Sequence, residues 1–106
     1  MRELTPLELK DYLASAEAPP LLLDVREPAE FDICHIEGSR LMPMGEVAAS
    51  LDDLPREKVI IAICHHGMRS YNIARYLEQQ GFGQVMNLIG GLDAWARKVD
   101  LSMPTY

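Results

Sequence analysis

The stretch that most constrains this chain is the apolar run KVIIAIC at 58–64, followed at once by HHGMRS at 65–70. Its β-branched centre has the length of a strand. With no polar residue between its ends, it has no face for water, as in a parallel strand covered on both sides. LLLDV at 21–25 is a second run of this kind, and QVMNL at 84–88 is a third, shorter one. A parallel sheet needs long crossovers between its strands, so helices are expected between the runs.

The intervening segments fit that demand. TPLELKDYLAS opens with Thr5 as a cap, Pro6 in the first turn and Glu8 completing a reciprocal cap, and Leu9 and Leu13 share a face. RSYNIARYLEQQ carries Ile73, Ala74 and Leu77 on one face and stops at Gly81. GGLDAWARK predicts a last helix with Trp95 facing inward. GEVAASLDDL predicts a helix ended by Pro55, and RLMPM a short strand. REPAEFDICHIEGS is expected to be a loop with one helical turn, broken by Pro28 and Gly38. Strands alternating with helices on short connections define an α/β domain with a mainly parallel sheet. At 106 residues the chain is one domain's worth, 1–106, and buries roughly two-thirds of its unfolded surface.

Charge narrows the partners. Acidic residues outnumber basic ones by 16 to 10, a net −6. That field repels phosphate backbones and anionic lipid, so neither nucleic acid nor a membrane surface is expected as a partner. An anionic substrate would need a locally positive pocket. The start, MRELTPLELK, is too polar for a signal peptide, and no apolar run approaches membrane-spanning length. Cys34 and Cys64 fit neither a disulfide framework nor paired zinc ligands. The expectation is a cytoplasmic protein with reduced thiols.

CHHGMRS at 64–70 concentrates the chemistry. Cys64 ends a buried strand and Arg69 opens a helix, at the carboxyl end of the sheet where ligands bind in open α/β folds. The turn between them is tight, and Gly67 relieves its steric cost. Backbone N–H groups entering the helix lack intrahelical partners. Curled around the sulfur, they form an anion cradle that favours the nucleophilic thiolate. Arg69 adds donors and positive charge. The bland alternative is a buried cysteine acting as a small hydrophobe. Adjacent residues in a tight turn seldom converge on one tetrahedral metal, and no further Cys/His cluster completes a set with His65 and His66. No metal and no cofactor is therefore expected. The two histidines are expected to shape the pocket rim or tune its charge, and His35 to be structural.

Three ordered segments together resemble the single-domain rhodanese (thiosulfate sulfurtransferase) family. They are LLLDVREPAEFDICHIEGSRLMPM, CHHGMRS, and GFGQVMNLIGGLDAW with Gly81, Phe82, Gly90, Gly91 and Trp95. The resemblance covers nearly the whole chain. It implies a mainly parallel sheet flanked by helices on both faces, and a sulfurtransferase working through a Cys64 persulfide. The donor would be a small sulfur anion such as thiosulfate, or a sulfur-donating protein such as a desulfurase. The acceptor would be cyanide, a thiol or a partner protein. His65, His66, Gly67, Met68 and Arg69 would form the substrate loop. Asp24 and Arg26 would lie near it and support it without reacting.

The resemblance also sets the rivals. Related Cys-to-Arg loops in dual-specificity phosphatases and arsenate reductases are one residue longer, and the tighter ring here suits a terminal sulfur better than a phosphate. A regulatory or sulfur-carrying module with little turnover is the other alternative, although Cys64, Gly67 and Arg69 are all retained. One departure stands out: Cys34 occupies a place where the family usually has glycine, which puts the local backbone in question and raises the issue of a second functional thiol. Asp32 and Glu37 are close in sequence and disfavour a thiolate, so Cys34 is expected to be inert unless a charged His35 offsets them.

Overall fold

The computed structural model describes residues 1–106. In chain order the elements are β1 (Arg2–Leu4), α1 (Pro6–Ser15), β2 (Leu21–Asp24), α2 (Pro28–Ile33), β3 (Arg40–Leu41), β4 (Ile60–Ile63), α3 (Met68–Gln79), β5 (Val85–Leu88) and α4 (Gly91–Lys98). The five strands form one sheet in the order β1-β5-β4-β2-β3, and every pairing is parallel.

β4 is buried at every position, as its unbroken apolar run requires. Its side chains alternate between two cores. Ile60, Ala62 and Cys64 pack with Ile73, Ala74 and Leu77 of α3 and with Phe82. Ile61 and Ile63 pack with Leu9 of α1 and with Leu92 and Trp95 of α4. Helices therefore cover both faces, and Trp95 points inward as its spacing predicts. Cutting Ile61 or Ile63 to alanine would open a cavity between two packed layers and cost about 2–5 kcal/mol. α1 starts as expected: the Glu8 N–H donates to Thr5 Oγ1 at 3.2 Å and the Thr5 N–H donates to Glu8 Oε1 at 2.9 Å.

Three segments depart from the sequence reading. Residues 45–54 do not form an α-helix. They make two short 3₁₀ pieces, Met44–Glu46 and Ala48–Asp53, the second broken at Ser50 (φ −119°, ψ 20°). Gly45 weakens the first turn, and neither piece buries any of its own residues, so packing gives an α-helix no support. Residues 28–33 form a fuller helix than one turn. Pro28 fits its first position, and Glu30 Oε1 accepts the Glu27 N–H at 3.0 Å. Finally, Arg2–Leu4 is an edge strand on β5. It buries only Leu4, so its sequence carries almost no strand signal.

This topology brings the ends of β2, β4 and β5 to one edge of the sheet. β2 runs into Asp24–Arg26, β4 into Cys64, and β5 into the Gly90–Gly91 turn. No helix is long and apolar enough to cross a membrane.

Candidate active site

Cys64 follows directly on β4 and is 1% exposed. The chain then turns at Gly67, whose φ of +92° lies in the left-handed region, and enters α3. A Cβ on Gly67 would stand 3.0 Å from Gly90 N and 3.1 Å from Leu88 O, so conformation and crowding both demand glycine. The turn folds two backbone donors onto the sulfur. Gly67 N–H lies 3.1 Å and Ser70 N–H 3.3 Å from Sγ. These are amides of the α3 entrance without intrahelical partners, and they now face the position where a thiolate charge forms.

α4 holds the loop from behind. The N–H of Leu92 donates to Cys64 O at 2.9 Å, and that of Asp93 to His65 O at 3.0 Å. Gly91 (φ +60°) is pressed so closely on the loop that any Cβ would overlap the carbonyls of Cys64 and His65. The free amides of one helix start thus fix the carbonyls of the loop that opens another.

Arg69 is placed as the sequence suggests, on the first turn of α3, but it is not a free positive charge. Its two terminal nitrogens make a fork on Glu30, at 2.7 Å to Oε1 and 2.9 Å to Oε2. Glu30 Oε2 also accepts from the Tyr106 hydroxyl at 2.8 Å. The Arg69 hydrogen bonds, aided by the Glu27 N–H and Tyr106, hold the Glu30 carboxyl down at about 2 despite partial burial. Glu30 in turn raises the pKa of Arg69.

Asp24 and Arg26 form a fully buried pair. Arg26 Nε donates to Asp24 Oδ1 at 2.9 Å and Nη2 to Oδ2 at 2.8 Å. Burial works against the Arg26 charge, but the hydrogen bonds to Asp24 and Tyr106 outweigh it and its pKa is raised. The remaining donors reach Glu30 O, Cys34 O and the Tyr106 hydroxyl. Arg26 thereby braces α2 from within, and α2 carries Glu30 to Arg69.

His65 and His66 lie side by side, ring centroids 4.0 Å apart, but in different surroundings. His65 packs its ring on Tyr106 with centroids 4.1 Å apart, and its Nδ1 is buried without a partner. Burial and the neighbouring His66 lower its pKa. His66 is exposed, with Nε2 3.8 Å from Asp93 Oδ2. The side chains of His65, His66 and Asp93 bring donor atoms within 4.8 Å of one another, a grouping that the sequence does not reveal. Both Asp93 oxygens are already engaged by Arg97, at 3.2 and 3.3 Å. Met68 is 72% exposed and leaves the loop's rim apolar.

Sequence reading missed four contributors: Glu30, Tyr106, Asn87 and Glu3. Asn87 alone carried a signal, because an amide inside an apolar strand must find partners when buried. Ser70 and Asn87 indeed bond at 2.5 Å.

The chain belongs to the rhodanese-like domain family, whose pattern matches residues 5–98. A sulfurtransferase of Allochromatium vinosum is 37% identical over 97 residues, spanning 92% of this chain and 90% of that protein. The probable adenylyltransferase/sulfurtransferase MoeZ of Mycobacterium tuberculosis is 35% identical over 105 residues; the match spans 97% of this chain but 26% of MoeZ, so the chain corresponds to about a quarter of that protein. The crystal structure of a rhodanese-like domain protein from Staphylococcus aureus superposes with a TM-score of 0.84 at 28% identity, covering 100% of this chain and 99% of the other.

Proposed function

We propose that the protein is a sulfurtransferase that carries sulfane sulfur on Cys64. In the first step the Cys64 thiolate attacks the outer sulfur of a donor such as thiosulfate. A new S–S bond forms, the donor's S–S bond breaks, and sulfite leaves with the electron pair. The product is a Cys64 persulfide. In the second step a nucleophile, either cyanide or a thiol on a small molecule or protein, attacks the outer sulfur. The Cys64–sulfur bond breaks and the thiolate is restored. Electrons balance within each exchange, and no cofactor enters.

The observation that carries this reading is the pair of backbone N–H donors aimed at Sγ from Gly67 and Ser70. They are fixed by backbone and cost no rearrangement when charge appears on the sulfur. The relatives named as sulfurtransferases support the same chemistry. Because Glu30 neutralises Arg69, binding of an anionic donor falls chiefly on the loop amides and the α3 start. The roles of His65, His66 and Met68 follow from their places on the rim, where they meet donor and acceptor. Asp24 and Arg26 hold α2 in place and touch no substrate.

The test is intact mass before and after thiosulfate, then after cyanide. The protein should gain one sulfur atom that cyanide removes, with thiocyanate appearing in equal amount. A protein that never gains sulfur from thiosulfate or from another sulfane donor overturns it.

A further inference from the structure

Ser70 has one hydroxyl proton and stands between two acceptors. Its Oγ lies 2.5 Å from Asn87 Oδ1 and 3.3 Å from Cys64 Sγ. One proton cannot serve both. The orientation of the Asn87 amide decides between them. Asn87 Nδ2 lies 3.0 Å from Glu3 Oε2 and 3.2 Å from Gly67 O. Both of those atoms only accept, so the amide must present its NH₂ to them. Turning the amide over would set its oxygen against a carboxylate and a carbonyl. Asn87 Oδ1 therefore faces Ser70, and it too only accepts. The Ser70 hydroxyl must donate to Asn87, which leaves its lone pairs toward the sulfur.

This polarity separates the two protonation states of Cys64. A thiol can donate its S–H to Ser70 Oγ. A thiolate meets a lone pair there and keeps only the N–H groups of Gly67 and Ser70. To serve the thiolate, the Ser70 hydroxyl must swing away from Asn87, a residue 1% exposed, and strand a buried oxygen without a donor.

We infer that Glu3, Asn87 and Ser70 form a chain of positioning residues that holds the proton on Cys64 in the resting protein, an inference that rests on Cys64 being the sulfur-accepting nucleophile for its functional meaning. The backbone cradle favours the thiolate, and this chain opposes it. Other charged groups surround the loop: Arg69 with Glu30, Asp24 with Arg26, and His66 with Asp93. None of them hydrogen-bonds to Ser70, Asn87 or Sγ, and Arg69 acts on the sulfur only through space. Glu3 alone reaches the chain. It does so from a groove of about 370 Å³ that Met68, Tyr71 and Ile89 also line, so the buried sulfur is wired to the surface.

The experiment is the rate of Cys64 alkylation by iodoacetamide against pH, read by peptide mass on the full chain. Ser70→Ala keeps both backbone donors and removes only the hydroxyl. The midpoint should fall by about half a pH unit, the scale of one hydrogen bond. Asn87→Ala, with Ser70 intact, should lower it by about one unit, because the freed hydroxyl can now donate to the thiolate. In the double variant Asn87→Ala should add nothing to Ser70→Ala. A rise or no change in Ser70→Ala overturns the inference, since the hydroxyl would then serve the thiolate or neither form. Additive shifts in the double variant also overturn it. If Asn87→Ala does not fold, as judged by its melting transition, the sign for Ser70→Ala decides alone. Alkylation needs no sulfur donor, so this result stands apart from success or failure of sulfur transfer.

Discussion

Cys34 and Cys64 are both nearly sealed from solvent, at 8% and 1% exposure, yet their surroundings share almost nothing. Cys64 sits where a strand hands over to a left-handed glycine and a helix start, and two backbone amides point at its sulfur. Cys34 ends α2. Its N–H donates to Glu30 O and its carbonyl accepts from Arg26, but no donor reaches its sulfur, which packs among Leu22, Ile63, Leu92 and Trp95. The lesson is that burial alone says nothing about thiol chemistry, and that the donors aimed at the sulfur define it. The comparison also resolves the departure from glycine at this position. Cys34 has φ −165°, extended backbone open to any residue, so no strain is built in.

The comparison breaks most sharply at the sulfur atoms. Cys64→Ser should reduce thiosulfate:cyanide transfer to background in a thiocyanate assay, while the fold is kept. The next largest effect should come from Gly91→Ala. Its Cβ cannot coexist with the loop carbonyls of Cys64 and His65, so the loop must shift. A loss of about 1–3 kcal/mol in denaturant unfolding is expected, together with loss of sulfur uptake.

Glu30 tests the brace between α2 and the loop. Its carboxyl is depressed from 4.5 to about 2, chiefly by Arg69. A depressed carboxylate stabilises the fold fully above its unfolded value, and that contribution disappears as pH falls through 4.5 toward 2. Because Arg69 is partly exposed, about 1–2 kcal/mol is expected after screening. Glu30→Gln should remove this part of the acid dependence, seen as a flatter unfolding free energy across that window. It should also strengthen thiosulfate use modestly, since the Arg69 charge beside the loop is no longer neutralised. The smallest effect belongs to Cys34→Ser. It places a hydroxyl in an apolar cluster at a cost of about 1–2 kcal/mol, and it should leave the rate of sulfur transfer within about twofold.

The strands and the cysteine loop were legible in sequence because each rests on local chemistry. β4 is an unbroken apolar run, and the turn after Cys64 needs its glycine within three residues. α1 announced its own start through Thr5, Pro6 and Glu8. The misses share a cause in distance. The partner of Arg69 is Glu30, 39 positions away, and Tyr106 joins Arg26 from 80 positions away. No local pattern encodes such pairs, so Arg69 read as a free charge for the substrate. Segment 45–54 failed differently: its helical spacing was present, but too little of it was buried to hold an α-helix.

The most direct measurement is peptide mapping of the sulfur adduct. The wild-type protein is exposed to thiosulfate, freed of excess donor and digested without reductant. One added sulfur is expected on the peptide containing Cys64 and none on the peptide containing Cys34. Sulfur on the Cys34 peptide, or sulfur uptake that survives in Cys64→Ser, would contradict it.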